Sequence, residues 1–177
     1  FTKKEQVLKL ESLSGEQKTL ANQDSLHNQS AYMSLDFFAN DRMLAAFRTS
    51  GLLEVWDVEK EQLQAAVPFP PINPFGHDLQ LVASEQKSTI YLGCSDWEKI
   101  YTFNFTTSQL DSLNITEATP SCFYFNEKAQ QLLIGTTSSQ LIIWDAQGEK
   151  ILHQHQLPGK RKVTDITLLP GKEKEYY

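Results

Sequence analysis

Few residues of this chain stand at spacings that support chemistry. His153 and His155 are two apart in a run with strand character, so their rings fall on one side and could share a metal ion. No carboxylate or thiol stands beside them in the sequence to complete a ligand set, and no metal or cofactor residues are assigned. Cys94 and Cys122 are the two thiols, too far apart for a Cys-x-x-Cys motif. There is no Gly-rich phosphate loop, no Gly-x-Ser-x-Gly elbow and no His-Glu-x-x-His, and paired carboxylates occur only as scattered surface charge. No residue is therefore expected to be catalytic, and the chain is expected not to be an enzyme.

What the chain does carry is a repeated phrase. Leu53-Glu54-Val55-Trp56-Asp57 returns as Leu141-Ile142-Ile143-Trp144-Asp145, each an alternating apolar strand that ends in Trp-Asp. Between them Ile100-Tyr101-Thr102-Phe103-Asn104 occupies the same frame, with Phe103 for the Trp and Asn104 for the Asp. A fainter copy, Val7-Leu8-Lys9-Leu10-Glu11-Ser12, comes first. Anchors at 12, 57, 104 and 145 are 45, 47 and 41 residues apart, the period of a four-stranded propeller blade.

Through these residues the chain resembles a set of degenerate WD40 repeats that covers nearly all of it. The resemblance implies an all-β fold: a β-propeller of WD40-like four-stranded antiparallel blades, about four of them represented. The units run approximately 1–24 (partial), 25–70, 71–116, 117–158 and 159–177 (partial), in a single segment spanning 1–177. A sevenfold ring at ~40–45 residues per blade needs on the order of 300 residues, so an incomplete ring is expected. In well-preserved repeats a His, a Ser or Thr, the strand Trp and a turn Asp form a stiffening hydrogen-bonded network. Here Gly76-His77 is followed by Ser88 or Thr89 and by Asp96, but Phe103 has no ring N–H to donate. Trp56, Asp57, His77, Asp96, Phe103, Asn104, Trp144 and Asp145 are accordingly structural residues of the repeat.

Period-two patterning places the strands. Ala31–Phe37 and Ser121–Phe125 read as first strands, with the odd positions Met33, Leu35 and Phe37 expected to pack on a neighbouring blade. Leu44–Phe47, Tyr91–Cys94 and Leu132–Gly135 read as second strands, with Gly93 and Gly135 aligned where neighbouring sheets approach closely. Gln62–Val67 and Lys150–His155 read as outer strands. Residues 7–20 supply a third and fourth strand, and Val163–Gly171 reads as an isolated first strand. The proline cluster Pro68–Phe75 must be a loop between blades, because proline cannot donate to a ladder. It includes Asn73-Pro74-Phe75, which resembles a peptide read by endocytic adaptors.

The turns between second and third strands are the candidate partner-binding surface. Trp97, inserted in one of them beside Lys99, has the makeup of an interface anchor unless it folds back onto its own blade. Arg48 and Gln140 occupy the matching turns of the adjacent units, so Arg48, Trp97, Lys99 and Gln140 are expected to present a protein-binding rim.

Sixteen Lys and Arg against 22 Asp and Glu leave a net charge of −6 without long runs, which disfavours a broad grip on nucleic acid. Lys160-Arg161-Lys162, with Lys172, is the one basic stretch that keeps nucleic-acid binding as a rival reading. A quinoprotein-like cofactor-binding propeller is the other rival, and it would need His, Asp or Arg converging on the axis. No segment has the length of a membrane-spanning helix and the N-terminus lacks a signal-peptide pattern, so a soluble protein without membrane contact is expected. Sequons occur at Asn28, Asn104 and Asn114, but Asn104 falls on the strand-terminal position of a blade. Two thiols inside strands fit a reduced, cytoplasmic setting. The expected role is a non-enzymatic protein-interaction scaffold or sensor domain within a larger protein.

Overall fold

A computed structural model describes residues 8–21, 30–70, 79–95, 97, 99–113, 115 and 119–167. Their regular structure is entirely β, arranged as one hairpin and three four-stranded antiparallel sheets. The hairpin is β1 (Leu8–Glu11) with β2 (Gln17–Leu20). The first sheet runs β3 (Tyr32–Phe38), β4 (Met43–Arg48), β5 (Leu52–Asp57) and β6 (Gln62–Pro68). The second is β7 (Gln80–Ser84), β8 (Thr89–Gly93), β9 (Ile100–Asn104) and β10 (Gln109–Leu113), and the third β11 (Pro120–Asn126), β12 (Gln131–Thr136), β13 (Gln140–Asp145) and β14 (Lys150–Gln156). In each sheet the strands neighbour one another in chain order, which is the meander of a WD40-like propeller blade. The chain forms two compact units, Phe1–Phe75 and Gly76–Tyr177, so the first holds the hairpin and one blade and the second holds two blades.

Local turn chemistry sets the strand registers. Asp57 pairs with Gln62, Asn104 with Gln109 and Asp145 with Lys150, leaving the same four-residue loop each time. The side-chain oxygen of the residue entering the loop caps it. Asp57 Oδ1 accepts the Lys60 N–H at 3.1 Å, Asn104 Oδ1 the N–H groups of Thr106 and Thr107 at 3.0 and 2.9 Å, and Asp145 Oδ1 that of Gln147 at 2.9 Å. The loop then closes through a left-handed residue, Glu61, Ser108 or Glu149, with φ of 53°, 58° and 50°. The Asp of the repeated phrase is thus a turn cap, and Asn104 replaces it because an amide oxygen accepts equally well.

Packing differs between the units. In the first, every residue of β5 is buried, so both faces of the sheet are covered along that strand. Leu8 and Leu20 of the hairpin close over Leu44, Ala46 and Trp56. Two strands are too narrow to cover the inner strand as well, and Leu35 and Phe37, which lie opposite Ala46 and Leu44, stay 47% and 43% exposed. The expectation that these odd positions pack on a neighbouring blade is not met among the described residues. Their counterpart Phe125 is 6% exposed in the second unit, where a complete blade lies beside it and the Tyr91 ring stacks on it at 5.3 Å.

Beyond β14 the chain returns across the third blade. Val163 N–H donates to the Thr136 carbonyl at 3.0 Å, the Ser121 hydroxyl donates to the Val163 carbonyl at 2.6 Å, and Ile166 packs with Cys122 and Leu133. Residues 161–167 form no ladder, so the described part of the expected strand Val163–Gly171 is an irregular covering segment. It repeats an arrangement seen one blade earlier. A Cβ on Gly93 would stand 2.5 Å from the Phe123 ring of the next blade, and one on Gly135 would stand 2.5 Å from Cys122 Sγ and 2.7 Å from Val163. Both glycines are therefore contact points where anything larger forces the layers apart. Gly93→Ala is expected to cost about 1–3 kcal/mol in urea unfolding, the usual penalty of overpacking; an unchanged midpoint would mean that the Phe123 contact is not tight.

Candidate functional site

Arg48 is not exposed for binding. It ends β4, is fully buried, and lies under a network built by three strands. Its Nε donates to Glu54 Oε1 at 2.8 Å, one terminal nitrogen donates to the Ser30 carbonyl at 3.1 Å, and another donates to the Tyr32 hydroxyl. The guanidinium carbon also stands 4.0 Å from the centre of the Tyr32 ring. The Tyr32 hydroxyl donates to Glu54 Oε2 at 2.7 Å, and Trp56 Nε1 donates to that same oxygen at 3.1 Å. Burial, then the hydrogen bond and negative charge of Glu54, push the Tyr32 hydroxyl well above the usual tyrosine range. In this blade the Trp of the repeated phrase finds its acceptor in Glu54 rather than in the Ser or Thr of well-preserved repeats. No substrate reaches a pair buried this completely, so its work is structural.

Glu54 and Tyr32 were not singled out by sequence reasoning. The available signal was a carboxylate at a position where the third blade has Ile142: a charge on the packed face of a strand requires a partner. Glu127 and Gln130 were missed likewise. Glu127 accepts the Glu85 N–H at 2.6 Å and the Ser84 hydroxyl at 3.3 Å, and Gln130 Nε2 donates to Gln86 Oε1 at 2.8 Å, so these two residues tie the first turns of the second unit's blades together. Nothing in their types distinguishes them from solvated turn residues.

Trp97 takes the folded-back arrangement. It is 7% exposed, its backbone N–H donates to the Cys94 carbonyl at 3.1 Å, and its ring meets Tyr101 of its own blade edge-on at 5.0 Å. It is therefore a core aromatic and not an exposed anchor. Lys99, beside it, is exposed. Gln140 opens β13 half-buried and accepts from Gln154 Nε2 at 3.2 Å. Next to Gln140 the third blade has a cavity of about 360 Å³, lined in part by Ser139, Leu141, Leu157, Arg161 and Asp165. Within the basic stretch Lys160 and Arg161 are exposed, while Lys172 lies outside the described residues.

Of the repeat residues, Trp56, Phe103 and Trp144 are all buried at equivalent strand positions. Phe103 is 1% exposed in the place of a Trp. His77 and Asp96 lie outside the described residues. The Asp57 carboxyl is held below the usual carboxylate range, chiefly by the Lys60 backbone N–H and then by the Lys60 ammonium. Burial pushes the Cys122 thiol up to about 11, which makes it a packing group rather than a nucleophile. Burial likewise raises the Tyr91 hydroxyl to about 12, with the charges of Glu127 and Glu149 adding to it.

No protein-family model matches the chain, and no curated protein matches it. Solved structures do. A chain from the crystal structure of a mitotic checkpoint complex aligns over 94% of this chain with a TM-score of 0.72 and 16% identity, and the structure of U3-55K aligns over 76% with a TM-score of 0.63 and 14% identity. At such identities the likeness is one of fold, and it agrees with the blades described above. The present chain spans less than half of each, 48% and 41% of their lengths.

Glu54→Ala is expected to cost about 3–5 kcal/mol in urea unfolding, because it strands a buried guanidinium. Replacing both members of the pair by apolar residues, Arg48→Met with Glu54→Leu, is expected to recover most of that loss. The Tyr91 shift has a pH signature. A hydroxyl whose ordinary value of 10.0 rises to about 12 on folding gives stability that is whole below pH 10 and is lost as pH climbs toward 12. Unfolding midpoints measured across that window are expected to fall, and Tyr91→Phe to flatten the decline.

Proposed function

We propose that this chain is a run of degenerate WD40 repeats within a larger protein, and that it serves without catalysis as a platform on which other proteins assemble. The observation that carries the reading is where the polar side chains go. Asp57, Asn104 and Asp145 cap turns, Arg48 and Glu54 pair inside a blade, and Glu127 and Gln130 join two turns, so the repeated polar positions hold the scaffold. Exposed positions lie in the connections and along outer strands such as β14, as expected where a rigid framework presents its loops and edges. The fold likeness to a chain from a mitotic checkpoint complex, itself an assembly, supports the same reading.

The binding surface we favour is the end of the second unit that carries the turns between second and third strands, with Lys99 and Gln140 contributing directly and the cavity beside Gln140 receiving a partner side chain. Trp97 supports that end from within its own blade. Membership of a longer propeller is supported by Leu35 and Phe37, uncovered where Phe125 is covered by a full blade. The buried thiols of Cys94 and Cys122 suit a reducing, cytoplasmic setting.

The test is capture of partners by the parent protein carrying Lys99→Glu and Gln140→Lys, compared with the unaltered protein. Loss of specific partners with a melting temperature unchanged for Lys99→Glu, an exposed position, and little changed for the half-buried Gln140→Lys is expected; retention of the same partners at the same affinity overturns the rim assignment. Further repeats of about 40–45 residues flanking this segment in the parent protein are expected as well, and their absence overturns the longer propeller.

A further inference from the structure

Beyond the interaction platform, we infer that the outer strand of the third blade carries a divalent transition-metal chelate formed by His153 and His155. β14 is the edge of its sheet, and every residue from Lys150 to Gln156 is exposed. The register pairs His153 with Ile143 and His155 with Leu141, which puts both imidazoles on one face of the strand. Gln154, between them, donates to Gln140.

The ring centres stand 5.9 Å apart with the planes 23° from parallel. Two imidazoles that share an ion at about 2.0–2.1 Å from each nitrogen need their rings side by side at this range, and exposed side chains turn to aim both nitrogens at one point. Strand pairing to β13 holds the backbone of both ligands, so part of the ordering cost is met before the ion arrives. Among the described residues no third His, Cys, Asp or Glu joins them in a metal-holding group. The chelate inferred is the bidentate one these two imidazoles make, with its remaining positions open to water or to a ligand brought by another molecule. Imidazole nitrogen suits Cu²⁺, Ni²⁺ and Zn²⁺, with Cu²⁺ tightest among them, and does not suit Ca²⁺ or Mg²⁺.

The experiment is a titration of the whole chain with Ni²⁺ or Cu²⁺ alone, followed by NMR. Resonances of His153, His155 and their β14 neighbours are expected to broaden first and to saturate at one ion per chain, while Mg²⁺ and Ca²⁺ leave the spectrum unchanged. His153→Gln and His155→Gln should each abolish that binding with no change in thermal unfolding, because both side chains are exposed. Binding that survives when both histidines are replaced would place the ion elsewhere in the chain and overturn the inference. Saturation at one ion per two chains with dimer formation would make it a bridge and overturn the chelate, as would the absence of saturable broadening in the unaltered chain.

Discussion

A four-stranded sheet with apolar side chains on both faces is not stable by itself, and this constraint governs the rest of the structure. In β5 the alternation places Leu53 and Val55 on one face and Trp56 on the other, and all three are buried. Burying such a side chain contributes about 1.5–3 kcal/mol, so neither face can be left to water without a loss comparable to the whole stability of a small domain. The second unit meets the constraint by laying one blade on another and then covering the outer blade with residues 161–166. Gly93 and Gly135 set how closely these layers approach. The first unit meets it in part, and the exposure of Leu35 and Phe37 marks what a two-stranded hairpin leaves uncovered.

Within this layered packing the polar groups are confined to a few solutions. Arg48 and Glu54 illustrate the most demanding one. A buried ion pair does not by itself stabilise a fold, because desolvation offsets its attraction. Here Tyr32, Trp56 and the Ser30 carbonyl take up neighbouring hydrogen-bonding capacity, so the arrangement fixes how β3, β4 and β5 align as much as how strongly they adhere. The third blade places Ile142 where the first has Glu54 and needs no such network at that position. Repeats of one architecture can therefore lose the shared polar network and be held by different local substitutes.

Functional capacity follows from what the scaffold leaves over. Side chains with chemical potential are mostly drawn into capping, clamping and packing, and the buried Cys122 thiol is pushed away from reactivity. Turns and outer strands keep their freedom. Lys99, the surroundings of Gln140, and the two imidazoles of β14 all lie at such places, on connections or on the sheet edge rather than in the core.

Apart from Gln80–Ser84, which it left unplaced, and Val163–Gly171, which it read as a strand though 163–167 form none, the sequence alone determined the repeat and its strands. These depend on period-two alternation and on turn residues, which are local properties: Asp57, Asn104 and Asp145 cap their loops through neighbours at most three residues away. Gly93 and Gly135 were legible for the same reason, since the lack of a side chain at a strand position signals close approach. Only the tertiary structure decided which side chains face outward. Arg48 reads as a turn residue until Glu54 and Tyr32, six and sixteen positions away, draw it inside. Trp97 reads equally as anchor or core until Tyr101 lies against its ring. Exposure is settled by what covers a residue, and in a layered β fold the cover comes from another strand or another blade, whose distance in sequence bears no fixed relation to its distance in space.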